Sequence, residues 1–212
     1  MSAIILGIYA LIGVIHEVSA VLFREGIRKF TKAALMPVLL VFYIVTSSNL
    51  QIMAIVAIVF SWLGDIFLIR KDEPKFFRLG LVAFLLSHVF YIIALLFIID
   101  SYHFSILLIS IVVALIAEIL LPKIIKPPKA MFIPVIVYGI VILAMCVFAM
   151  QYMLSIITPA SILLFVGSIV FVFSDTLMTY LAFREKPKYF NAITMLPYII
   201  AQALIVFGLA SH

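Results

Sequence analysis

The sequence predicts an all-α integral membrane protein with eight transmembrane helices. Its composition supports this class, because 67% of the 212 residues are hydrophobic and only 11% are charged, with a mean hydropathy of +1.39. A soluble domain of this size would be about a quarter charged. The apolar residues also form runs of about 17–25 residues, which is the length that a helix needs to cross a bilayer.

Polar breaks divide the chain into eight predicted spans, and we treat residues 1–212 as a single transmembrane domain. The first run has no basic residue before it, unlike a secretory signal peptide, so we expect it to be a retained span. The second span is short and the seventh long, as helix tilt permits. The predicted spans cover residues 3–23, 32–46, 50–69, 77–99, 103–121, 131–150, 160–183 and 191–210.

The 14 Lys and Arg residues, Lys32 among them, all fall in the odd-numbered connections between these spans. Because cytoplasmic loops of membrane proteins are rich in Lys and Arg, the odd connections are predicted to face the cytoplasm and both termini to lie outside. The predicted location is therefore the cytoplasmic (inner) membrane. The net charge of +5 follows from this topology, so no nucleic-acid partner is expected.

Patterns in the first half of the chain recur in the second half. The clearest example is Lys32-Ala33-x-x-x-Pro37, which recurs as Lys129-Ala130-x-x-x-Pro134, and in the same order Asp65 corresponds to Asp175. This predicts a four-plus-four duplication with halves of about 1–100 and 101–212. A unit of four spans preserves orientation, so the halves would be parallel repeats, with the two Asp residues facing one central cleft.

Asp65 and Asp175 both lie inside apolar runs. A charged side chain in hydrocarbon costs several kcal/mol, so each carboxyl group needs a partner, a proton or a water-filled cavity. At about 1.5 Å per residue from the nearest Arg, they lie roughly 7–8 Å and 13 Å below the cytoplasmic edge. We therefore take them as the candidate catalytic pair, in a cavity that opens towards the cytoplasmic side.

Other polar side chains occur at similar depth. Ser61 shares a helical face with Asp65, and His88 shares one with Tyr91. Polar stripes on spanning helices turn inward, although such residues also serve helix packing through backbone or interhelical hydrogen bonds. The candidate substrate-binding or supporting residues are Glu17, Ser61, His88, Tyr91, Asn191, Tyr198 and Gln202.

Paired carboxyl groups in a low-dielectric cleft cannot both ionise cheaply, so such a pair holds a proton and presents an acid beside a base. This arrangement suits acid-labile C–O bonds that break through an oxocarbenium-like state. The alternatives are weaker. The chain has only four His and one Cys, with no His-x-x-x-His pair and no Gly-x-Ser-x-Gly sequence. We therefore expect no metal, no cofactor and no serine nucleophile.

Four short motifs resemble the pattern of the YhhN family of eight-span membrane proteins, the lysoplasmalogenases. The motifs are Ser61-x-x-Gly64-Asp65, Ser87-His88-x-x-Tyr91, Phe173-Ser174-Asp175 and Tyr198-x-x-Ala201-Gln202. One departure is Lys32-Ala33, where the family is expected to have Lys-Pro, and it affects helix initiation rather than the site.

The resemblance implies hydrolysis of the vinyl ether bond of lysoplasmalogens, which gives a fatty aldehyde and glycerophospho-ethanolamine or -choline, without a metal. It also implies that Asp65 and Asp175 are the catalytic pair. The partners would be a lysophospholipid from the inner leaflet and water, and the sequence specifies no oligomeric state. Two other classes stay open: a proton-coupled transporter of a small molecule or lipid, which parallel repeats and intramembrane acids also suit, and a non-catalytic scaffold.

Overall fold

The computed structural model describes residues 1–184 and 187–211, which form eight α-helices. Lys186, one of the basic residues used to predict the topology, and the terminal His212 lie outside the described residues. The helices are α1 Ser2–Val21, α2 Glu25–Thr46, α3 Ile52–Leu68, α4 Pro74–Leu96, α5 Phe104–Ile125, α6 Lys129–Ser155, α7 Pro159–Ala182 and α8 Phe190–Ala210.

Seven of the eight helices are long and apolar enough to span a membrane. The exception is α3, whose 17 residues make it the shortest of the eight. At about 1.5 Å per residue it is roughly 26 Å long, slightly less than the hydrocarbon core of a typical bilayer. Small mismatches of this kind are absorbed by local thinning of the bilayer, so the chain is a multi-pass membrane protein.

The start of α2 differs most from the sequence prediction. The helix begins at Glu25, seven residues before the predicted start at residue 32. Glu25 lies in the first turn, where an acid is favourable, and its carboxylate is 2.5 Å from the Arg28 guanidinium. The placement of Lys32 in a connection was therefore wrong, because Lys32 lies inside α2 and is buried.

Two further helices extend beyond their predicted ends. Helix α5 continues through Pro122 to Ile125 and ends where Lys126 adopts a left-handed conformation with φ of 52°. Helix α6 runs to Ser155 rather than to residue 150. Its last turns are fixed by Gln151, whose buried side-chain oxygen accepts a hydrogen bond from the His103 backbone N–H at 3.0 Å.

All four odd connections meet at one end of the bundle, which we call the basic end. Lys71 donates a hydrogen bond to Asn191 at 2.8 Å, Arg184 donates to the Ile124 carbonyl at 3.2 Å, and the rings of Phe23 and Tyr189 lie 6.0 Å apart. At the opposite end, one cavity is lined by Met1, Thr46 and Ser211, so the start of α1 and the end of α8 lie together there. The assignment of the basic end to the cytoplasm stays a prediction.

The buried core involves every helix except α5. Within α5 only Ile125 is buried, and this helix packs on α6 and α7 at the edge of the bundle. Helices α3 and α4 approach closely beside Asp65, since a Cβ atom added at Gly64 would lie 2.6 Å from the ring of Phe84. This close contact holds the carboxyl-bearing turn of α3 against the centre of the bundle.

Candidate functional site

Asp65 lies near the end of α3 and its side chain is completely buried. Its Oδ1 is 3.1 Å from Lys32 Nζ of α2, and its Oδ2 accepts a 2.7 Å hydrogen bond from the Tyr198 hydroxyl of α8. Three helices therefore meet at one carboxylate. An ammonium and a hydroxyl together satisfy a buried carboxylate far better than hydrocarbon does, which explains how this acid is tolerated at this depth.

Lys32 is a functional candidate that the sequence analysis missed. Its ammonium group lies 3.0 Å from the Met195 sulfur and 5.7 Å from the centre of the Tyr198 ring, in addition to its ion pair with Asp65. The signal that could have found it was the requirement that an intramembrane acid have a partner. It was overlooked because a run of cationic residues before an apolar span was interpreted as a connection.

Asp175 lies in α7 and is 7% exposed. Its Oδ2 accepts a hydrogen bond from the Tyr138 hydroxyl of α6. No described Lys, Arg or His nitrogen lies within 4.0 Å of its carboxyl oxygens. Tyr138 was also missed by the sequence analysis, although a buried Tyr hydroxyl in a span usually has a hydrogen-bond partner.

The two carboxyl groups line one cavity of about 30 Å³, which we call the carboxylate cavity. This volume has room for water, and the polar lining suits it. The structure therefore brings Asp65 and Asp175 to one cavity, whereas their catalytic role stays a prediction. The cavity is also lined by Lys32, Leu68, Lys71, Phe84, Ser174, Met178, Thr194, Met195 and Tyr198.

His88 lies behind this cavity and does not line it. Its Nδ1 is 2.6 Å from the Phe84 carbonyl oxygen one turn earlier, which identifies Nδ1 as the protonated nitrogen. Its ring packs edge-on against the rings of Phe171 and Tyr138, with distances between ring centres of 4.6 Å and 5.8 Å. His88 therefore supports the ring of Tyr138, the residue that donates to Asp175.

Tyr91, Gln202 and Ser61 form a hydrogen-bonded network one turn deeper than Asp65. The Tyr91 hydroxyl donates to Gln202 Oε1 at 3.3 Å, and Gln202 Nε2 donates to Ser61 Oγ at 3.2 Å. Ser61 also bonds Ser87 Oγ at 2.6 Å, rather than its own helix backbone. The network joins α3, α4 and α8 beneath the carboxylate cavity without lining it.

Comparison with known proteins identifies the family to which this chain belongs. A sequence model of the YhhN family matches residues 27–209, which is most of the chain. The chain is a member of the YhhN family. A search of curated proteins and a search of solved structures each found no match.

The remaining candidates of this YhhN protein lie in two different places. Asn191 is at the basic end, where its side-chain oxygen holds Lys71. Glu17 lies on α1 and is not among the residues that line the carboxylate cavity. The buried polar residue next to it is His16, whose Nδ1 is 3.0 Å from Thr31 Oγ1.

Two cavities share a lining residue with the carboxylate cavity, and a third shares lining residues with one of those two. A mouth cavity of about 230 Å³ lies at the basic end and shares Lys71 with the carboxylate cavity. On the other side, Asp175 also lines a cavity of about 30 Å³ beside Tyr138, which we call the Tyr138 cavity. The Tyr138 cavity shares Glu118 and Leu143 with a groove of about 270 Å³ between α5 and α6, the α5–α6 groove.

Through these shared residues, the four cavities lie next to one another from the basic end of this YhhN protein to its edge at α5 and α6. The α5–α6 groove is almost entirely apolar, with Glu118 as the only charged residue in its lining. Glu118 packs against Gly139, where an added Cβ would lie 2.4 Å from Glu118 Oε2. Among the described residues, no three His, Cys, Asp or Glu side chains are grouped closely enough to hold a metal ion.

Proposed function

We propose that this YhhN protein is a lysoplasmalogenase, which hydrolyses the vinyl ether bond of lysoplasmenyl-ethanolamine or -choline to a fatty aldehyde and the glycerophospho-alcohol. The observation that carries the proposal is that Asp65 and Asp175 line the same buried cavity while only Asp65 has a cationic partner within 4.0 Å among the described residues. The YhhN match supports the membrane-protein class, and the vinyl ether specificity rests on the resemblance described above.

The different surroundings of the two acids suggest different roles. Lys32 neutralises Asp65, so Asp65 is suited to remain a carboxylate that activates water and stabilises a cation. Asp175 accepts a hydrogen bond from the neutral hydroxyl of Tyr138 and has no cationic nitrogen within 4.0 Å among the described residues. A buried carboxyl group in such surroundings is most easily accommodated with a proton. We therefore assign Asp175 as the general acid and Asp65 as the general base.

The reaction then balances on these two residues. Asp175 donates its proton to the β-carbon of the vinyl ether, which produces an oxocarbenium ion, and water adds to the α-carbon as Asp65 takes a proton from it. In the resulting hemiacetal, Asp175 takes the hydroxyl proton, the bond to the glycerol oxygen breaks, and Asp65 returns a proton to that oxygen. The products are an aldehyde and a glycerol hydroxyl, and both acids regain their starting state.

The cavities support one orientation of the substrate. The reacting bond would lie between the two acids, with the hydrocarbon chain passing Asp175 into the Tyr138 cavity and the α5–α6 groove. From Leu107 to Glu118 this groove extends about 16 Å along α5, comparable with half of the hydrocarbon thickness of a bilayer. The carboxylate cavity is narrow, and the flexible side chains of Met178 and Met195 in its wall can rearrange to admit the bond.

The architecture supports the same proposal. We propose that the basic end faces the cytoplasm, that both termini lie outside, and that the site is reached from the inner leaflet of the cytoplasmic membrane. We also propose the four-plus-four repeat. In support, α3 packs on α4 as α7 packs on α8, and α2 packs on α8 as α6 packs on α4.

The decisive experiment is incubation of purified protein with lysoplasmenylethanolamine, followed by measurement of free aldehyde. We expect aldehyde from the vinyl ether lipid and none from the saturated 1-O-alkyl analogue, with no loss of activity in EDTA or phenanthroline. Activity that is lost with chelator and restored by zinc would contradict the carboxylate mechanism. Absence of aldehyde, combined with proton-dependent substrate uptake in proteoliposomes, would instead support the transporter.

A further inference from the structure

The mouth cavity combines one cationic and one anionic residue from the same connection. Its lining includes Lys71 and Asp72, between α3 and α4, together with the aromatic residues Phe77, Phe183 and Phe190. The volume of about 230 Å³ is larger than that of the carboxylate cavity. A cavity with adjacent charges of opposite sign and an aromatic wall suits a zwitterionic ligand.

Lys71 connects this cavity to the two acids. It lines both the mouth cavity and the carboxylate cavity. Its ammonium group is held in place by a 2.8 Å hydrogen bond to Asn191 and lies 4.1 Å from the centre of the Phe190 ring. A ligand group bound to Lys71 would therefore lie next to the carboxylate cavity.

We propose that the mouth cavity binds the zwitterionic phosphate head group of a lysophospholipid, with Lys71 on the phosphate and Asp72 on the terminal amine. This inference rests on the proposed function. In the substrate, only the glycerol backbone separates the phosphate from the vinyl ether oxygen, so the phosphate must bind next to the catalytic acids. Lys71 is the residue that lines both spaces.

Asn191 acquires a positioning role in this arrangement. Lysine is a flexible, strongly hydrated cation, so its ammonium group needs a fixed partner to be held at one place. The Asn191 side-chain oxygen provides that partner at the start of α8. The lining of the cavity also contains aromatic rings, which attract the quaternary ammonium of a choline head group.

The test measures binding of the non-cleavable lipid 1-O-alkyl-lysophosphatidylethanolamine to purified protein in detergent. We expect Lys71→Met to raise the Kd by about tenfold or more, as loss of a charge-assisted contact does. Lys75→Met is the matched control, because Lys75 is an exposed cation of the same end that does not line the cavity. It should bind like the wild type, and inorganic phosphate at millimolar concentration should not compete.

Asp72→Asn provides a second variant that should fold, since Asp72 is exposed. It should weaken binding of the ethanolamine lipid while leaving 1-O-alkyl-lysophosphatidic acid, which lacks the amine, unaffected. Equal Kd values for Lys71→Met and Lys75→Met, or equal effects of Asp72→Asn on both lipids, would overturn the head-group site. Competition by inorganic phosphate alone would show a phosphate site without lipid specificity and would overturn it also.

The binding assay separates this inference from the proposed reaction because the ligand contains no vinyl ether. If binding depends on Lys71 but no aldehyde is released from the vinyl ether lipid, the head-group site is supported and the proposed reaction is contradicted. If aldehyde is released but Lys71→Met does not change the Kd, the proposed reaction is supported and the head-group site is contradicted.

Discussion

The Lys32 ammonium group lies 3.1 Å from one carboxylate oxygen of Asp65, and both side chains are buried where α2, α3 and α8 meet. The pair brings a charge of each sign into the apolar core, and each residue makes the other tolerable there. The surroundings of Asp175 differ, because its bonded partner is the neutral hydroxyl of Tyr138. This contrast is the basis for assigning different roles to the two acids.

We expect Lys32→Met to lower both stability and aldehyde release, because it leaves Asp65 as an uncompensated buried charge. Breaking a buried ion pair by removing one partner costs about 3–5 kcal/mol. Thermal unfolding in detergent should show a large decrease in midpoint, and Lys29→Met, at an exposed position of the same helix, should leave it unchanged. The double variant Lys32→Met with Asp65→Asn should be more stable than Lys32→Met alone; equal or lower stability would contradict the ion-pair interpretation.

Tyr138→Phe should lower kcat by about tenfold and change KM little, because it removes the hydrogen bond that orients Asp175 while keeping the ring that packs on His88. The measurement is the steady-state kinetics of aldehyde release. Tyr102→Phe, which removes an exposed hydroxyl in the connection between α4 and α5, serves as the control. Wild-type kcat in Tyr138→Phe would exclude the hydroxyl from the chemistry.

Eight helices could be predicted from the sequence because each is a long apolar run between polar breaks. The boundaries were less predictable where cationic residues begin a helix. Arg28 is paired with Glu25 and Lys32 with Asp65, so these side chains are compatible with a helix that starts seven residues early. In the sequence alone, Lys32 is counted as a polar break. Its partner Asp65 lies on a different helix, so the pairing is visible only in the folded structure.

The close contact between α7 and α8 depends on Gly208, which has no side chain. A Cβ atom at Gly208 would lie 2.7 Å from the Ala160 carbonyl oxygen, and that backbone atom cannot move aside without shifting α7. Gly208→Ala should therefore lower the free energy of unfolding by about 1–3 kcal/mol, as overpacking does. Gly7→Ala is the control, because an added Cβ there meets nothing within 4 Å; similar thermal midpoints for the two variants would contradict the close packing.

The topology can be tested with fusions at the C-terminus. Because the basic residues lie in or near the odd connections and the ends of α1 and α8 at Met1 and Ser211 lie at the opposite end, an alkaline phosphatase fused after His212 should be active and a green fluorescent protein should be dark. The same fusions in the connection between α3 and α4 serve as the control and should give the reverse pattern. A fluorescent C-terminal fusion would place the site on the outer leaflet.

The two acids of the candidate site could be predicted from the sequence, but the residues that bond to them could not. Asp65 and Asp175 stand out because carboxyl groups are rare and costly in spans. Lys32 and Tyr138 do not stand out, because their importance depends on how α2 and α6 are rotated against α3 and α7, and packing across the bundle decides that rotation. Conversely, depth in the span indicated Glu17, and depth together with a helical face shared with Tyr91 indicated His88, but the fold places both outside the lining of the carboxylate cavity.

Substitution of the two proposed catalytic residues provides a direct test. Asp65→Asn and Asp175→Asn should each lower kcat for aldehyde release by about 100-fold or more, the scale of lost acid–base catalysis. Asp100→Asn, an exposed carboxylate at the opposite end, is the matched control and should keep wild-type turnover. Asp175→Asn should still fold, since Asn preserves the size of the side chain. Asp65→Asn leaves the Lys32 ammonium without its carboxylate partner, so its thermal midpoint is measured beside its turnover, and Lys32→Met with Asp65→Asn serves as the variant without the unpaired charge.

The measurement that tests the central claim is the pH–rate profile of the wild type, the two single variants and the double variant. The claim that the two acids act as one unit predicts a bell-shaped profile in the wild type, loss of one limb in each single variant, and a double variant scarcely slower than either single variant. Near-normal turnover in a well-folded Asp65→Asn or Asp175→Asn protein, or effects of the two substitutions that multiply in the double variant, would contradict it.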